Sequence, residues 1–228
     1  MALIFDLELI VYDYLADKEF MHRNITELSY TIIKRNMSNI DWKYISSRRL
    51  LSESFIREFA YVVNWESISR NRTLSESFIK EFANRLNWVE ISRCQKLSES
   101  FIREFAHVVN WRGISRNQQL SESFIREFAH VVNWGEISWS QKLSELFIRE
   151  FVHVVNWDSI SRNQQLSESF IREFAHVVNW GEISWSQKLS VSFIREFVHA
   201  VHWPGIFHQH LSRSFFREFN QYLPIKPN

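Results

Sequence analysis

The feature that most constrains this chain is a period of 23 residues. Leu97-Ser98-Glu99-Ser100-Phe101-Ile102-Arg103-Glu104-Phe105 opens a stretch that passes through Asn110-Trp111 and Ile114-Ser115 to Gln119, and the same framework begins again at Leu120. Self-similarity at such a period marks a stack in which each repeat packs on its neighbours. Clear repeats start at Leu51, Leu74, Leu97, Leu120, Leu143, Leu166 and Leu189, the last one residue short. A degenerate copy starts at Leu28, where Ser29, Ile32, Ile33, Trp42 and Ile45 stay in phase, and Leu211 opens a half-repeat. The expected layout is an N-terminal helical cap over 1–27, tandem repeats over 28–210, and a half-repeat cap and tail over 211–228.

Each repeat reads as two helices. Ser98 is placed to cap the first and Glu99 lies in its first turn, where the helix dipole favours an acid. Leu97 and Ile102 occupy the two positions of a hydrophobic staple. A helix of about twelve residues would carry Phe101, Ile102, Phe105, Ala106, Val108 and Val109 on an arc of roughly 160°. Glu99, Arg103 and His107 would run down the other side, Glu preceding Arg in the favourable order. Asn110 suits the corner, and Asn133 to Glu136 and Asn179 to Glu182 have capping-box spacing. The second helix is short, about Trp111 to Gln118, by its apolar spacing. Pro204 falls in the first turn of its copy, where proline is tolerated. Helices this short are marginal alone; stacking buries what one repeat exposes. The predicted fold is all-α, an α-solenoid of short helix-turn-helix repeats with atypical capping ends. In the N-terminal cap, Leu7, Ile10, Val11, Tyr14 and Leu15 predict a helix over about Asp6–Asp17, with a shorter one near Lys18–Arg23.

Composition narrows the function. Net charge is +1, so no global field draws nucleic acid or an anionic membrane. No apolar run approaches the roughly 18 residues of a membrane span, and the acidic opening is a poor signal peptide. Cys94 is the single cysteine, which excludes an intrachain disulfide and fits a reducing, intracellular setting. Nucleophile elbows, phosphate loops and Cys/His pairs are missing, so the expectation is no catalytic residue, no metal and no cofactor.

The pattern Leu120-Ser121-Glu122, Phe124-Ile125-Arg126-Glu127-Phe128, Asn133-Trp134, Ile137-Ser138 resembles the short tandem-repeat proteins encoded in large numbers by giant DNA viruses, over about residues 28–219. The resemblance implies a viral, non-secreted repeat protein that acts by binding, in the host cytoplasm or the virion. It carries over no catalytic residue. The expected function is a non-enzymatic scaffold for protein–protein interaction. The alternatives are a substrate adaptor with an F-box-like docking segment in residues 1–27, or a structural virion component.

Each candidate site has a plain packing alternative. His107, His130, His153, His176 and His199 recur once per repeat. Neighbouring copies about 8–10 Å apart do not suit a zinc ion that needs ligands about 2 Å away, so they read as solvated. His202, Trp203, His208 and His210 cluster in the last repeat and also read as structural. Arg57, Lys80, Arg103, Arg126, Arg149, Arg172 and Arg195 form a basic column neutralised by flanking Glu. The Trp heading each second helix is expected to cover the joint between repeats, its N–H finding a carbonyl. Trp139 and Trp185 are different. They stand where Arg70, Arg93, Arg116 and Arg162 stand in other repeats. They either pack between repeats or anchor a protein partner, and Arg116, Trp139, Arg162 and Trp185 are the candidate contact residues. No nucleic-acid or membrane partner is expected.

Overall fold

The computed structural model describes residues 30–47, 51–71, 73–209 and 212–222. The predicted N-terminal helices, the start of the Leu28 repeat, His210 and the last residues of the tail lie outside that range. Among the described residues the structure is helical throughout: α1 (Tyr30–Arg35), α2 (Trp42–Ser47), α3 (Glu53–Glu58), α4 (Trp65–Asn71), α5 (Glu76–Glu81), α6 (Trp88–Cys94) and α7 (Glu99–Glu104), then α8 (Trp111–Asn117), α9 (Glu122–Glu127), α10 (Trp134–Ser140), α11 (Glu145–Glu150), α12 (Trp157–Asn163), α13 (Glu168–Glu173), α14 (Trp180–Ser186), α15 (Val191–Glu196), α16 (Trp203–Phe207) and α17 (Arg213–Glu218). Two compact units divide between Asn110 and Trp111. Within each, the repeats stack as an all-α solenoid. In the first unit, α2 packs on α4 and α4 on α6. In the second, α8, α10, α12, α14 and α16 pack in series.

The caps follow the sequence. Ser144 Oγ accepts the Phe147 N–H at 3.2 Å to start α11, and Asn156 Oδ1 accepts the Ser159 N–H at 2.8 Å to start α12. Such a side-chain acceptor satisfies one of the donors that a helix start leaves unpaired. Pro204 sits in the first turn of α16 as expected. The Asn-Glu capping boxes are only half formed. Asn133 Oδ1 accepts from the Glu136 N–H at 3.0 Å, but the Asn133 N–H goes to Ser115 Oγ at 2.9 Å. Glu136 instead takes Arg112 at 3.0 Å. The reciprocal half of the box is displaced because the preceding repeat supplies better-placed partners.

The first helix is shorter than its periodicity predicts. α7 has 6 residues, not about twelve, because Phe105 leaves helical geometry (φ −104°, ψ 20°). The Phe105 carbonyl then accepts from both Val108 and Val109, at 3.0 and 3.1 Å, and so builds a separate turn. The break sets the Phe105 ring against Phe101 and Trp88, with centroids 4.6 and 5.0 Å away. The β-branched valines that follow add little helix propensity to oppose it. The expected apolar arc is corrected accordingly: Val109 is buried, while Val108 is 38% exposed.

The core is built of apolar clusters that span neighbouring repeats. In the second unit Ile125, Val132, Ile137, Leu143, Phe147, Ile148, Val155, Ile160 and Phe170 form one cluster, flanked by Trp134 and Trp157. The Trp at the head of each second helix covers the joint with the next repeat: Trp134 lies 4.7 Å from Phe151 and Trp157 5.1 Å from Phe174, centroid to centroid. Their indole N–H groups donate to Ala129 and Val152 carbonyls at 3.0 and 3.3 Å.

Three polar ladders tie repeat to repeat. Ser138 Oγ donates to the Trp134 carbonyl at 2.7 Å and accepts the Asn156 N–H of the next repeat at 2.9 Å. Ser69, Ser115, Ser161 and Ser184 make the same bond to the following corner. Gln164, also buried, donates to the Gln141 carbonyl at 2.8 Å and accepts the Leu143 N–H at 3.0 Å. The first-turn acids form the third ladder: Glu122 Oε1 accepts the Ser144 N–H at 2.6 Å, and Glu145 the Ser167 N–H at 2.6 Å. Buried backbone groups left between short helices are thus satisfied by the neighbour. Gly205 marks a close approach, since a Cβ there would lie 2.9 Å from the Ser184 backbone carbonyl carbon.

Candidate interaction edge

The basic column of the first helices is paired with acids, as expected, but its shortest ion pairs reach to the next repeat. Glu53 and Arg57 do meet at i, i+4, 3.7 Å apart, yet Arg57 lies 2.7 Å from Glu81 of the next repeat. In the second unit Arg126 pairs with Glu150 and Arg172 with Glu196 at 2.7 Å, Arg149 with Glu173 at 2.8 Å, and Arg195 with Glu218 at 2.6 Å. Lys80 pairs likewise with Glu104. Hydrogen bonds from these guanidiniums hold Glu150, Glu173, Glu196 and Glu218 below the usual carboxylate range. The recurrent histidines His107, His130, His153, His176 and His199 are exposed. Among the described residues no three His, Cys, Asp or Glu side chains converge as metal ligands.

The second helices differ from repeat to repeat, and the differences alternate. Arg162 makes a two-point bond to Glu182 of the next repeat, Nε to Oε2 at 2.7 Å and the terminal nitrogen to Oε1 at 2.6 Å. On its other side its guanidinium carbon lies 5.8 Å from the Trp139 ring centroid. One repeat pair earlier, Arg112 and Arg116 both meet Glu136, at 3.0 and 3.6 Å. In the first unit Arg70 and Arg93 meet Glu90, at 3.1 and 2.6 Å. Burial alone would push the Glu90 carboxyl up; the hydrogen bonds and charges of the two arginines outweigh it and hold it below its ordinary value. Trp185 repeats the Trp139 arrangement with His208 in place of the arginine, ring centroids 4.6 Å apart. The duplicated Gly135–Lys142 and Gly181–Lys188 blocks therefore carry a structural alternation: an ion clamp at one interface, an aromatic contact at the next.

The packing expected of the two tryptophans is seen in part. Each packs against the following repeat, yet Trp139 is 47% and Trp185 50% exposed. The four candidates Arg116, Trp139, Arg162 and Trp185 occupy one column on α8, α10, α12 and α14. The two arginines are held by carboxylates and the two indoles are open. Trp203 is structural, stacked 4.2 Å from Tyr222, and His202 lies 6.4 Å from Trp185.

Two features escaped sequence reading. Leu146 on α11 is 76% exposed, where Ser54, Ser77, Ser100, Ser123, Ser169 and Ser192 stand in other repeats. In those repeats the hydroxyl pairs with the capping serine, as Ser169 does with Ser167 at 2.9 Å. The break in an otherwise identical string was the available signal. The second is the pair Lys142 and Lys188, each three residues after an open tryptophan and each exposed. No helix among the described residues is long and apolar enough to cross a membrane. No family model, no curated protein and no solved structure matches this chain.

Proposed function

We propose that this protein is a non-enzymatic repeat scaffold that holds a protein partner along its second helices, with Trp139 and Trp185 as anchors and Arg116 and Arg162 framing them. One observation carries the reading. The tryptophan heading each second helix has its ring against the next repeat, whereas these two extra indoles, two repeats apart, leave about half their surface open. Large aromatics left open on a rigid frame are the residues that dominate interfaces. At about 8–10 Å per packed helix the anchors lie roughly 16–20 Å apart. The resemblance of the repeat to those of giant-virus proteins supports the host cytoplasm or the virion as the place of action.

The experiment is affinity capture with wild type, Trp139→Ala/Trp185→Ala and His130→Ala/His153→Ala/His176→Ala, after thermal melts show that each variant is folded. A partner lost from the tryptophan variant and kept by the histidine variant supports the assignment. The reverse pattern moves the binding face to the first helices. Comparing the full chain with residues 28–228 separates the adaptor alternative, which requires a docking factor to be lost with residues 1–27.

A further inference from the structure

The chemistry of the partner can be read from the charges beside the two indoles, and this step rests on the scaffold reading above. On the second-helix edge of the second unit the guanidiniums are engaged: Arg112 and Arg116 with Glu136, Arg162 with Glu182. Asp158 accepts the Asn179 side-chain amide at 2.7 Å, a neutral donor that leaves its charge in place. Lys142 and Lys188 are exposed, and neither forms an ion pair within the described residues. Arg112, Arg116, Lys142, Arg162 and Lys188 outnumber Glu136, Asp158 and Glu182 on this edge, so its net charge is positive. The ammonium without an ion pair occurs in two copies with the two-repeat period, each just past the end of a helix that carries an open indole.

We infer that the edge from α10 to α14 binds an acidic protein segment at two equivalent places. At each, an apolar side chain of the segment lies on Trp139 or Trp185 and a carboxylate meets Lys142 or Lys188. An indole supplies apolar area at small entropic cost, and an ammonium without an internal partner supplies sign selection. For anchors roughly 16–20 Å apart, an extended segment rising about 3.3 Å per residue places its two acidic–apolar pairs about five or six residues apart. A single-stranded nucleic acid fits less well. A phosphate backbone is met by a run of free cations, and here the arginines are held by carboxylates.

The test uses the full chain and three fluorescent probes: a peptide with two Glu-Leu pairs five residues apart, the same peptide with Lys for Glu, and a 20-nucleotide oligo-dT. Anisotropy is read at low and high salt. The expected result is binding of the Glu peptide alone, weakened about tenfold or more by Lys142→Glu/Lys188→Glu and by Trp139→Ala/Trp185→Ala. Lys142→Gln/Lys188→Gln, which keeps size and polarity, should give an intermediate loss. Failure of the Glu peptide to bind, binding unchanged in both lysine variants, or tighter binding of oligo-dT overturns the inference. Failure of the scaffold reading is a different outcome, in which no captured partner is lost with the tryptophans. A captured partner that is lost with the tryptophans but kept by both lysine variants leaves the edge in place and rejects only the acidic segment.

Discussion

Ser138 Oγ accepts the backbone N–H of Asn156 at 2.9 Å while donating to the Trp134 carbonyl at 2.7 Å. One fully buried hydroxyl thus joins its own second helix to the corner of the next repeat. Removing it leaves the Asn156 N–H without that acceptor. Ser138→Ala is expected to cost about 1–3 kcal/mol. Ser123→Ala, at an exposed hydroxyl paired with Ser121, should stay within about 0.5 kcal/mol. Denaturant midpoints compare the two; equal costs would mean that the serine ladder contributes nothing.

Phe147 is 1% exposed and lies 4.7 Å from Phe151 and 6.2 Å from Trp134. Phe147→Ala should cost about 3–5 kcal/mol as a large-to-small core change. Arg149→Ala removes an exposed ion pair with Glu173 and should cost far less. Thermal melts in which the two variants shift equally would show that the helix faces are misassigned.

Leu146→Ser is expected to leave the melting temperature unchanged or raise it, because it restores the hydroxyl pair made elsewhere and removes an exposed apolar side chain. A melt decides the stability arm. If the same variant loses a captured partner, Leu146 is a contact residue on the first-helix side.

The Arg–Glu ladder sets a pH dependence. Glu150, Glu173, Glu196 and Glu218 have carboxyls held low in the folded state by hydrogen bonds from arginine. A carboxylate whose folded pKa is depressed adds stability above its unfolded value, about 4.3 for Glu, and that stability is lost as pH falls through the folded value. The melting temperature should therefore drop progressively below about pH 4.3. These pairs are exposed, so each contribution is modest and weakens with salt. Melts at low and high salt across the acidic range check this; a midpoint that rises on acidification contradicts it.

The amino-acid sequence by itself determined the period, the helix starts and most of the buried face, though not the exposure of Val108. Those depend on interactions within a few residues: Ser144 reaches the Phe147 N–H and Asn156 the Ser159 N–H whatever lies beyond. The repetition of Phe, Ile and Trp at fixed spacing likewise dictates an apolar core shared between neighbouring repeats. The tertiary structure decided what depends on the neighbouring repeat. Phe105 ends its helix because stacking on Trp88 competes with helical geometry, a contest that spacing along one repeat does not reveal. Arg126 chooses Glu150 over Glu122 because the next repeat brings that carboxylate nearer, while Glu122 is taken by the Ser144 N–H. The openness of Trp139 also depends on packing: Arg162 is drawn partly onto its ring and partly to Glu182, which leaves the rest of the indole in water. Local hydrogen bonds and apolar periodicity act over a few residues and can be read along the chain, but the choice among rival partners is made by distances across the stack.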